Sequence, residues 1–177
     1  MNGSGDIIPR MDINRIAPDF ALRGLDGRLC RLSDYRGRIV IVTFWSVDCP
    51  HVVRADASLR TAMNRWGDDV VLLMVASNAN ESPSAMENAA RERGPLTVLI
   101  DAKQEAADAY AAQVTPEAFV IDRAGVVRYR GAVDDVSFRQ KIATRSFVEE
   151  AVDALLRGEA PAVTEVAAFG CSIVRES

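Results

Sequence analysis

The chain predicts an α/β domain with a central mixed β-sheet, helices on both faces, an N-terminal strand extension and a C-terminal tail. Three observations carry this expectation. Residues 39–44 and 70–76 are almost continuously apolar, as strands buried on both faces must be. Between them, Val52, Ala55, Leu59, Ala62, Met63 and Trp66 recur at helical spacing until Gly67 ends the pattern, which makes a β-α-β crossover. Later, residues 118–122 and 126–129 flank Arg123-Ala124-Gly125 and read as a β-hairpin, so antiparallel pairing joins the parallel unit.

The remaining elements follow in order. Residues 1–15 are expected to be a flexible extension and 16–177 a single domain. An extended entry through residues 17–20 leads to a short strand at 28–32 and a turn at Tyr35-Arg36-Gly37. After the crossover, residues 78–84 form a polar loop. There Ser82 caps a helix over 83–93, with Pro83 at the favoured first position and Gly94 beyond the end. Residues 96–100 predict a strand, 104–113 a short Ala-rich helix and 146–157 a last helix, while 134–144 and 158–177 read as irregular.

Composition narrows the function classes. A chain of 177 residues can bury a sizeable core without disulfide staples, and three cysteines are too few for a disulfide scaffold. A net charge of −4 and a pI near 5.1 give no general basic field, so nucleic acid is not an expected partner. No run approaches the roughly 18 apolar residues of a membrane span, and no membrane partner is expected. The start, Met1-Asn2-Gly3-Ser4-Gly5-Asp6, lacks a basic region followed by an apolar stretch, so a cytoplasmic location is the expectation unless a leader has been removed.

Cys49 is the residue with the most chemistry in it. It lies between a buried strand and a helix, in Phe44-Trp45-Ser46-Val47-Asp48-Cys49-Pro50-His51-Val52. A helix start offers unpaired N–H groups and the positive end of the helix dipole, which favour the reactive thiolate over the thiol. Asp48 pulls the other way unless it points to water. His51, the one histidine, could stabilise a thiolate, move a proton or bind metal, or simply face solvent. Cys30, in a predicted strand, reads as structural. Arg54, Arg128 and Arg130 could supply positive charge near Cys49, and Asn78, Asn80 and Glu81 lie in a loop that could contact substrate or only start a helix; salt-bridged and capping roles are the plainer readings.

Five elements in order carry a family resemblance. They are Phe44-Trp45-x-x-x-Cys49-Pro50, Val114-Thr115-Pro116-x-x-Phe119-x-Ile121-Asp122, Gly125-x-x-Arg128, Tyr129-Arg130-Gly131-x-x-Asp134-Asp135 and the tail Gly170-Cys171-Ser172-Ile173. Together they resemble the thioredoxin-like redoxins, a superfamily that includes peroxiredoxins and thiol-disulfide oxidoreductases. The resemblance implies a thioredoxin-like fold, a nucleophilic Cys49 followed by Pro50, and a cis proline at Pro116 whose neighbour Thr115 offers backbone groups to a substrate.

The chain departs from the dithiol pattern at Val52, where such proteins carry a second cysteine, so the resolving thiol must come from elsewhere. Cys171, whose counterpart recurs in the resembling subfamily, is the candidate. Ser46 stands where peroxiredoxins carry a peroxide-binding hydroxyl, yet Val42 replaces their proline. The expected activity is therefore thiol-disulfide exchange with protein or small-molecule partners and an external thiol reductant, without a cofactor. Peroxide reduction, a metal site built on Cys49, His51 and Cys171, and a non-catalytic binding domain remain open alternatives.

Overall fold

The computed structural model describes residues 11–177. Its centre is the strand β3 (Ile39–Trp45), every residue of which is buried. Alternate side chains of this apolar run serve the two faces of the sheet: Ile39 and Ile41 join one core cluster, and Val40, Val42 and Phe44 join another. β3 pairs in parallel with β4 (Val70–Ala76) through the crossover helix α1 (Pro50–Trp66), and antiparallel with β7 (Glu117–Ile121).

Five further strands extend the sheet. β1 (Ala21–Gly24), β2 (Leu29–Arg31) and β5 (Val98–Ile100) lie beyond β4, and β8 (Val127–Gly131) and β9 (Glu165–Val166) beyond β7, in the order β2-β1-β5-β4-β3-β7-β8-β9. The buried stripe of α1, with Leu59, Ala62 and Trp66, shares one face with α4 (Phe147–Leu156). α2 (Pro83–Arg93) adds Met86, Ala89 and Ala90 beside the start of α1. The opposite face is covered by α3 (Glu105–Ala109), by Phe20 from the chain entry and by Ile173 from the tail. This is the mixed, doubly covered sheet that the apolar periodicities predict. No helix among the described residues is long and apolar enough to cross a membrane.

Local chemistry sets the boundaries. Ser82 Oγ accepts the Ala85 N–H and Pro83 starts α2, as predicted. The Ala-rich helix expected over 104–113 shrinks to α3, because Gln104 and Ala111 both take left-handed backbone conformations. The tail differs more. Within the predicted irregular stretch 158–177, Glu165 and Val166 extend the main sheet, and β10 (Cys171–Ser172) pairs antiparallel with β6 (Val114–Thr115). Of the expected flexible extension, residues 1–10 lie outside the described residues. Residues 11–15 are held against β8: Asn14 donates to Val127 O at 2.8 Å, Val127 donates to Arg15 O at 2.9 Å, and Met11 is buried.

Candidate active site

Strand register brings the site together. The C-terminal end of β3 lies beside the start of β7, with Phe44 opposite Glu117, so the loop leaving β3 faces the Thr115-Pro116 bend that enters β7. The Thr115–Pro116 peptide is cis, as the resemblance implies. Cys49 is the N-cap of α1 and Pro50 its first residue, so the thiol stands at the positive end of a 17-residue helix. Its side chain is turned inward: Cys49 is only 4% exposed and packs with Trp45 and Val52. Val52, where a local second thiol would stand, is a core side chain.

The tail closes the site from above. β10 sets Cys171 opposite Thr115 and Ser172 opposite Val114. This approach needs a glycine before Cys171, since a Cβ on Gly170 would fall 1.9 Å from the Thr115 carbonyl oxygen. Cys171 is thereby set beside the residue whose carbonyl the Cys49 thiol reaches at 3.3 Å, and both cysteines are free thiols.

Their acidities diverge. Burial pushes the Cys49 thiol up, but hydrogen bonds from the Cys171 thiol and from the backbone N–H groups of Val52, Cys171 and His51 outweigh it, and its pKa falls below the ordinary value. Cys171 is pushed up to about 11, by burial and by the proton it shares with Cys49. In its protonated form Cys49 can instead donate to Thr115 O at 3.3 Å, a bond that disappears on ionisation. The helix start and these donors favour the thiolate at Cys49.

The supporting residues take definite places. Ser46 Oγ and Thr115 Oγ1 hydrogen-bond at 3.0 Å, and Thr115 Oγ1 also reaches Cys171 O at 3.5 Å, so one hydroxyl pair ties the Cys49 loop to the cis-proline bend and the tail. The Ser46 hydroxyl is thus bonded across to another element, not within its own loop. His51 contributes its backbone N–H to Cys49, while its imidazole packs edge-on against Phe169 at 4.8 Å. Asp48 is exposed to water. Arg54 pairs with Asp134, Arg128 with Asp122 and Arg130 with Glu117, as salt-bridged structural charges. Among the described residues no group of three His, Cys, Asp or Glu is arranged to hold a metal ion.

Two charged groups position the Cys49 loop: Arg93 with Asp56, which local sequence pattern does not single out, and Glu81 of the 78–84 loop. Arg93, in the last turn of α2, donates to the carbonyls of Ser46 and Val47 and to Asp56, and stacks over the Trp45 ring at 5.1 Å. Asp56 also accepts from Trp45 Nε1 at 2.9 Å; burial raises its pKa despite these partners. A carboxylate on the apolar stripe of α1 was the available signal. Glu81 accepts the Val47 N–H at 2.8 Å and the Asn78 amide at 3.0 Å, while its second oxygen is buried without a hydrogen bond. Burial raises its pKa.

With this geometry in view, the comparisons with known proteins decide the lineage. Residues 13–130 match the model of the AhpC/TSA family. The chain belongs to that family. It is 33% identical over 118 residues to the thiol-disulfide oxidoreductase ResA of Geobacillus thermodenitrificans, a match covering 66% of this chain and 67% of that protein. Two solved structures each overlay with a TM-score of 0.86. One is an uncharacterized conserved protein from Geobacillus kaustophilus, 30% identical, covering 97% of this chain and 94% of that one. The other is a hypothetical protein from Sinorhizobium meliloti, 28% identical, covering 96% and 97%. The fold is thioredoxin-like, and the reaction class is thiol-disulfide oxidoreduction. The family match ends at Arg130, so Cys171 lies beyond it.

Proposed function

We propose that Cys49 and Cys171 form the redox couple of this oxidoreductase, interconverting between a dithiol and one intramolecular disulfide. Cys49 is the nucleophilic thiolate that closes the couple's disulfide, and Cys171 supplies the second sulfur that the residue at position 52 does not. The observation that carries the reading is the pairing of β10 with β6, which sets Cys171 opposite Thr115, the residue whose carbonyl the Cys49 thiol reaches at 3.3 Å. Pro50 starts the helix behind Cys49, and Ser46, Thr115 and Pro116 hold the surrounding loops in register. Protein or small-molecule disulfides and thiols are the substrates, and an external thiol returns the oxidised couple to the dithiol.

Two features favour disulfide exchange over peroxide reduction. The Ser46 hydroxyl that would receive a peroxide is engaged by Thr115, and Val42 is a buried β3 residue with no proline to bend the strand. The test is reduction of insulin disulfides with dithiothreitol as electron donor. Cys49→Ser and Cys171→Ser each lower the rate by about tenfold or more; an unchanged rate in either variant contradicts the couple. Hydrogen peroxide consumption that depends on Cys49 and exceeds insulin reduction would return the peroxidase reading.

A further inference from the structure

The two thiols differ in who can reach them. Cys49 is 4% exposed and lies beneath the tail, whereas Cys171 is exposed. The tail is fastened on both flanks of Cys171. Phe169 packs between the rings of His51 and Phe138, at 4.8 and 4.7 Å. Ile173 is buried in the core cluster and donates its N–H to Gln113 O. Val174 is held by Asn78, Ala79 and Gln104, and Arg175 pairs with Asp108 at 2.6 Å and donates to Ala112 O. The Thr115 edge, which an extended outside chain could otherwise pair with, is occupied by β10.

We infer that outside sulfur exchanges with Cys171, and that Cys49 reacts only with the sulfur of Cys171. The inference rests on the proposed couple and sets the order of its steps. In the reducing direction the Cys49 thiolate takes the Cys171 proton. The Cys171 sulfur then attacks the outside disulfide, forming a Cys171 mixed disulfide and releasing one thiolate, which collects the proton from Cys49. The Cys49 thiolate next attacks the Cys171 sulfur, forming the Cys49–Cys171 bond and releasing the second thiolate. One disulfide has been exchanged for another, two electrons have passed to the substrate, and no further oxidant is needed.

In reverse, an outside thiolate attacks exposed Cys171 and Cys49 departs. The better leaving group is thereby the buried one, since the lower-pKa sulfur leaves faster. Because β10 fills the Thr115 edge, the partner is recognised at its sulfur and not by strand pairing. That points to small disulfides of the glutathione class, or to cystines on exposed flexible loops.

The test uses glutathione disulfide and single-thiol traps. Cys49→Ser and Cys171→Ser proteins, shown folded by circular dichroism, are mixed with the disulfide. Growth of the mixed-disulfide mass is followed over a pH series, so that rates refer to the thiolate. Trapping at Cys171 is expected to be faster by about tenfold or more; any smaller ratio overturns the inference, because it means the tail opens readily over Cys49. Oxidised wild-type protein treated with glutathione and quenched in acid should carry the adduct on the Cys171 peptide, and an adduct chiefly on Cys49 also overturns it. Failure of the wild-type protein to form a Cys49–Cys171 disulfide at all would instead overturn the proposed couple.

Discussion

Replacing Gly170 by alanine isolates the contact on which the site depends. The added Cβ would lie 1.9 Å from the Thr115 carbonyl oxygen, 2.6 Å from its carbon and 3.1 Å from Pro116 N. Ordinary contact begins at 3.4 Å, so the tail must retreat by 3.4 − 1.9 = 1.5 Å. The obstructing atoms are backbone and cannot rotate aside. A misplacement of about 1 Å costs on the order of 100-fold in a positioned reaction, so Cys49–Cys171 disulfide formation is expected to slow by roughly that factor. Global stability should fall by about 1–3 kcal/mol, as for overpacking elsewhere. The assay is stopped-time oxidation with a limiting oxidant and quantification of the linked peptide, beside a urea melt of the reduced protein. Disulfide formation within about threefold of wild type would refute the claim that β10 registration aligns the two sulfurs.

Three further outcomes follow from other contacts. Arg93→Met removes a donor from the Ser46 and Val47 carbonyls and leaves the buried Asp56 carboxylate with the Trp45 N–H and the more distant Arg60 charge; urea melts should show a loss of about 3–5 kcal/mol, part of it recovered in the Arg93→Met/Asp56→Asn double variant. Ser46→Ala removes a neutral hydroxyl pair whose partner Thr115 keeps Cys171 O, and should cost only about 1 kcal/mol by the same measurement. The two thiols should contribute oppositely to the pH dependence of the reduced protein's stability, a dependence that Cys171→Ser changes. The folded pKa of Cys49 is lowered, so its contribution grows as pH rises toward the unfolded thiol value near 9. That of Cys171 is raised, so its contribution is complete below that value and is lost as pH climbs toward about 11.

Much of this arrangement was readable from local pattern. β3 and β4 declare themselves because both faces of a central strand are apolar, and α1 and α2 because their stripes and caps are strong. Cys49 could be placed at a helix start on the same grounds, and the cis Thr115-Pro116 followed from resemblance. The tail was harder to read. β10 has two exposed residues, its ladder partner lies 56 positions earlier in the chain, and no periodicity spans so short a strand. Gly170 permits the close backbone approach, but a lone glycine does not specify it. Arg93 was illegible for another reason: a cation in the last turn of a helix usually serves the helix dipole, and nothing nearby in sequence says that this one reaches back to the Cys49 loop. The stretch 158–177, irregular by sequence pattern, is in fact anchored at Phe169, Ile173, Val174 and Arg175.

The central claim is that Cys49 and Cys171 are one redox couple, and its most direct test is the disulfide map of the mildly oxidised full chain. Alkylation, digestion and mass spectrometry should give a monomer lighter by two hydrogens, one peptide joining Cys49 to Cys171, and Cys30 free to alkylate. Closing so long a loop should also make this form more stable than the dithiol by about 2–5 kcal/mol. A map in which Cys49 stays alkylatable, or is joined to Cys30 or to a second molecule while Cys171 remains free, would contradict the account.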